Sequence, residues 1–166
     1  MPTAIKFGIY NGLCLVIIYV VSYIMDMMND KALDYISWLV SGIIIAWGIK
    51  TYRDEFNRDG VTYGKAFGLG SLIGVYGSIM LSVFIYILYV LIDTNLVNIL
   101  VDQKIQEMID SGKSEEIIQK RRPLLLIFTK PHFLALGIFI GYSFIGFLGS
   151  LVASIFFKSN TNSLSA

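Results

Sequence analysis

The run AFGLGSLIGVYGSIMLSVFIYILYVLI, Ala66 to Ile92, contains no Asp, Glu, Lys, Arg or His. A helix of this length in water would need a polar face. An uncharged apolar run of about 18 or more residues reads instead as a membrane span. At about 1.5 Å per residue it reaches roughly 40 Å, so it must tilt or project beyond the hydrocarbon.

Working outward, the pattern recurs on both sides. Phe7–Met25, Leu33–Ile49 and Phe133–Phe157 are further apolar runs, charged only at Asp34 on the outer edge of the second. Lys6 before the first run resembles the start of a signal peptide, but the apolar stretch is too long and no small-residue cleavage site follows. The whole chain agrees, with 55% hydrophobic and 15% charged residues, against about 25% charged in soluble domains. Lipid cannot satisfy backbone amides, so a span is a helix or a strand of a closed barrel. Continuous apolar runs lack a barrel's alternation. The fold class is therefore all-α: a polytopic membrane protein, read as one four-helix transmembrane domain over 1–166, with spans at about 7–25, 33–49, 66–92 and 133–157.

Between the third and fourth spans lies a polar connector, 93–132. Val97, Val101, Ile105 and Met108/Ile109 recur at helical spacing among charged residues, which predicts an amphipathic helix. Ser111-Gly112 should end or bend it. Ser114 should cap a second short helix, with Glu115 and Glu116 in its first turn and Pro123 stopping it. The tail 159–166 is polar and expected to be loose.

The segment DGVTYGKAFGLG, Asp59 to Gly70, imitates a phosphate loop. That loop needs G-x-x-x-x-G-K-[ST], where the hydroxyl holds magnesium. Here Gly60 and Gly64 are one residue too close, and Ala66 follows Lys65. The plainer reading is a turn at Asp59-Gly60, a cap at Thr62, and Tyr63 and Lys65 at headgroup level. Tyr52, Arg53, Trp38 and Trp47 are the other candidate interface residues, the two tryptophans toward opposite ends of the second span. Gly70, Gly74, Ser78 and Ser82 recur every four residues. Gly137, Gly141, Gly146 and Ser150 make similar steps in the last span, as do Gly8/Gly12 and Gly42/Ala46. Small side chains let helices approach closely in lipid, so these are candidate packing residues.

The short second loop carries Lys50, Arg53, Arg58 and Lys65, the first loop only Lys31. The positive-inside rule then puts both termini in the cytoplasm. The longer connector, rich in Lys and Arg, pulls the other way.

Tyr52-Arg53-Asp54, Asp59-Gly60, Thr62 to Phe67, Gly70 and the closing run Ile145 to Ala153 with Lys158 resemble the domain of unknown function 4199 family over nearly the whole chain. The resemblance implies a small four-helix inner-membrane protein of Bacteroidota-type bacteria. It implies no activity.

The residues themselves suggest no catalysis. His132 is the one histidine and Cys14 the one cysteine, so no metal-ligand spacing exists. Net charge is +1, which offers nucleic acid no basic field. No catalytic, cofactor or metal site is expected. The span interiors lack the ionisable residues that proton relays and ion paths leave in a membrane. The expected function is a non-catalytic structural, interaction or accessory protein. The alternative is an oligomeric small-solute transporter or channel subunit. The expected partners are the bilayer and either a second copy or a membrane partner protein.

Overall fold

A computed structural model describes residues 2–28, 30–56 and 61–157. These form α1 (Pro2–Ile24), α2 (Lys31–Phe56), α3 (Tyr63–Ile87), a π-helical turn (Leu88–Ile92), α4 (Leu96–Asp110), α5 (Glu115–Phe128) and α6 (Pro131–Phe157), with no strand among the described residues. Four helices are long and apolar enough to cross a membrane: Pro2–Ile24, Lys31–Glu55, Tyr63–Ile92 and Pro131–Phe157. The expected turn at Asp59-Gly60, Arg58, the closing Lys158 and the tail lie outside the described residues.

Within an 18-residue apolar stretch of each span only 28–33% of the residues are buried. The exposed remainder is apolar and includes Ile17, Leu39, Phe144 and Phe156. In water so large an apolar surface would aggregate. In hydrocarbon it faces its own solvent, and the backbone amides are satisfied within each helix.

The second span is longer than its apolar run. Apolarity ends at Ile49, but the helix continues through Lys50, Arg53, Asp54 and Glu55. Hydropathy measures what lipid tolerates, and helical hydrogen bonding does not stop there.

The chain divides into two compact units, Met1–Leu81 with Phe139–Ala166, and Ser82–Ile138. In the first unit the spans alternate in direction. Asp30 caps α2 with its carboxylate on the Ala32 N–H (2.9 Å). The turn that closes α1 places Asp26 at φ 55°. Around it the Met27 N–H donates to the Ser22 carbonyl (2.8 Å) and the Asp26 N–H to Tyr23 (3.2 Å), the left-handed closure that usually employs glycine. The core gathers Phe7, Ile45, Ile49, Val61, Ala66 and Ile73.

In the second unit the π-helical turn closes with the Asp93 N–H on the Leu88 carbonyl (2.8 Å). α4 stops at Ser111-Gly112 as expected. Gly112 has φ +72°, and Lys113 and Gly112 donate to the Met108 and Ile109 carbonyls (3.0 and 2.9 Å). Ser114 stands at the cap position of α5, but its side chain makes no cap hydrogen bond.

Pro123 does not stop α5. The helix runs through it to Phe128. A proline deprives the carbonyl four residues back, here Gln119, of its donor. Gln119 is exposed in the charged half of α5, beside Lys120, Arg121 and Arg122, so water can reach that carbonyl and the helix persists.

Candidate functional site

The first unit is organised around α3, which approaches α1, α2 and α6 through residues with little or no side chain. A Cβ on Gly74 would lie 2.8 Å from the Cα of Gly146, and one on Gly146 equally close to Gly74. The two backbones touch there. Gly70 packs on Ser150 and Ile45. Phe67 meets Phe147 edge-on with ring centroids 4.6 Å apart. Numbers rise along α3 as their partners fall along α6, so the pair is antiparallel.

Hydrogen bonds lock this contact. The Ser150 hydroxyl donates to the Phe67 carbonyl at 2.7 Å. The Ser78 hydroxyl donates within its own helix to the Val75 carbonyl at 2.8 Å. Its single proton thus used, Ser78 accepts from Ser143, 2.7 Å away.

On the other side of α3, Gly8 meets Tyr76, Gly12 meets Met80, and Asn11 packs on Gly77. Here numbers rise together, so α1 and α3 are parallel. Gly48 of α2 sits against Ile73 and Phe7. Tyr19 and Tyr142 face each other with hydroxyls 3.3 Å apart. The Oδ1 of Asn11 and the hydroxyl of Ser154 are buried with no partner among the described residues.

The small-residue rows in the sequence separate into two groups. Gly70, Gly74, Ser78, Gly146 and Ser150 are brought together. Gly137 and Gly141 are not, since a Cβ on either would meet nothing within 4 Å. Ser82 is half-buried. Sequence spacing did not identify Ser143 or Phe67, the partners of Ser78 and Ser150, because neither belongs to a small-residue row.

Of the candidate interface residues, Tyr52 packs half-buried against the core. Arg53 pairs with Asp54 (2.9 Å) and stacks over the Phe157 ring at 5.5 Å. Tyr63 stacks on Phe67 with ring planes 1° apart, and Lys65 is exposed. Trp38 meets Tyr35 edge-on at 5.4 Å. Trp47 meets Phe7 at the same distance. α2 continues about 13 Å beyond Trp47 to its end.

Between α2 and α6 a groove of ≈ 710 Å³ opens to the outside. Gly42, Ala46, Gly149 and Ala153 lie along it, with Trp38, Leu39, Val152 and Phe156 among the larger side chains at its edges. Among the described residues no three His, Cys, Asp or Glu converge. His132 lies beside the Phe133 ring, centroids 4.6 Å apart.

The polar side chains of the first unit's interior are thus arranged for helix-to-helix packing. No curated protein and no solved structure matches the chain. A family model described as "Protein of unknown function (DUF4199)" matches residues 6–159. Since that match spans nearly every residue of the six helices, the chain belongs to the DUF4199 family.

Proposed function

We propose that the protein is a non-catalytic accessory component of the inner (cytoplasmic) membrane, with both termini inside, that presents its α4–α5 segment to another membrane protein. One observation carries this reading. α5 buries none of its residues, and Leu124, Leu126, Ile127 and Phe128 are all exposed although α5 is too short to span. Such a surface outside a span calls for lipid or a partner to cover it. Arg121 and Arg122 stand next to it, as at interfaces where a charged edge borders apolar anchors. Support for the orientation comes from Lys50, Arg53 and Lys65 near the α2–α3 connection.

The test is affinity purification in mild detergent. The intact protein should bring down a distinct membrane protein. Leu124→Glu with Phe128→Glu, or deletion of residues 94–120, should lose it while the spans stay folded. Unchanged partners would remove the support. Solute flux in reconstituted vesicles, abolished by Gly74→Leu, would point to a transporter or channel subunit instead.

A further inference from the structure

We propose that the α2–α6 groove binds one acyl chain of an anionic phospholipid, whose phosphate is held by Lys50 and Arg53. The groove is bordered by Leu39, Gly42, Ile43 and Ala46 of α2. These positions share one helix face, and the same face continues one and two turns further to Lys50 and Arg53. Arg53 is fixed at the groove's end by the Phe157 ring, itself part of the groove wall.

The dimensions suit a lipid. The volume of ≈ 710 Å³ falls within the range of about 300–1,000 Å³ found for ligand sites. From Gly42 to Arg53 the helix rises about 17 Å, close to one leaflet of a hydrocarbon core about 30 Å thick. A phosphate at Arg53 therefore brings the end of its chain to Gly42, where a Cβ would meet nothing within 4 Å.

Charge identifies the headgroup. Asp54 occupies only the Nε of Arg53, and a guanidinium carries five N–H donors. Lys50 is exposed and has no ion pair among the described residues. Charge also argues against a second copy as the occupant. Copies in one membrane share an orientation, so a two-fold contact here would set Lys50 and Arg53 of both copies at the same depth, like charges together.

The purified protein, stripped of lipid in detergent, is titrated with phosphatidylglycerol or with phosphatidylcholine of identical chains, and bound lipid is counted by native mass spectrometry. Phosphatidylglycerol should be retained and phosphatidylcholine lost at lower activation energy. K50Q and R53Q should each weaken phosphatidylglycerol retention about tenfold and phosphatidylcholine retention by less, because its choline cation already offsets the same phosphate. Gly42→Phe, which enters open space, should displace both lipids without lowering thermal stability. Equal retention of the two lipids, or no effect of K50Q and R53Q, would overturn the proposal. So would competition by inorganic phosphate alone. A dimer or a bound helical partner lost on Gly42→Phe would assign the groove to that occupant instead.

Discussion

Gly74 of α3 and Gly146 of α6 stand backbone against backbone, each leaving the other 2.8 Å where a methyl group would have to fit. Neither neighbour has a flexible side chain that could move aside. Gly74→Ala or Gly146→Ala must separate the helices and strain the Ser78–Ser143 and Ser150–Phe67 hydrogen bonds beside them. Each should cost about 1–3 kcal/mol, read as a lower midpoint of thermal unfolding in detergent. Gly68→Ala and Gly141→Ala are the controls. Their Cβ atoms meet nothing within 4 Å, and removing a helical glycine should leave stability unchanged or raise it by about 0.5–1 kcal/mol. Equal losses at all four positions would mean that close approach is not what this pair provides.

Ser78 and Ser143 test whether the same contact carries a polar lock. A double-mutant cycle with Ser78→Ala and Ser143→Ala should give a coupling of about 0.6 kcal/mol, and no more than about 1.7, the scale for hydrogen bonds between spans. Zero coupling would leave the 2.7 Å approach as packing without energetic consequence.

At Asp26 the backbone adopts φ 55°, where a side chain costs about 1–2 kcal/mol. Asp26→Gly should relieve that cost and raise stability by about 1 kcal/mol. Asp26→Val should lower it, because a β-branched side chain resists this region most. The comparison is made by unfolding all three proteins in one detergent.

The four spans were legible because hydrocarbon imposes one simple requirement, an uncharged run of sufficient length. The packing was legible only in part. The rows at Gly70/Gly74 and Gly146/Ser150 have the same four-residue step as Gly137/Gly141, yet only the first two meet a partner. Spacing shows which helix face could approach another and says nothing of which helix arrives. The end of α2 escaped for a different reason. Lys50, Arg53 and Glu55 are good helix formers that lipid merely excludes, so the apolar boundary at Ile49 lies inside the helix. The groove went unread because its two walls lie about a hundred residues apart in the chain, and the cation pair beyond it reads locally as an ordinary membrane edge.

Pro123 separates two rules that the sequence cannot choose between. A proline within a helix costs about 3 kcal/mol through its ring and its missing donor, which favours ending the helix there. Leu124 to Phe128 would then be an irregular apolar strand with unpaired amides beside a membrane, which is also costly. The helix continues through Pro123, the arrangement expected where the second cost exceeds the first. Pro123→Ala should restore the hydrogen bond to the Gln119 carbonyl, and amide hydrogen exchange should slow across residues 118–126 while the spans are unaffected. If exchange in that stretch is as fast in the alanine variant as in the original, the helical turn around Pro123 is not held by its own hydrogen bonds. The apolar face of α5 would then depend on whatever covers it.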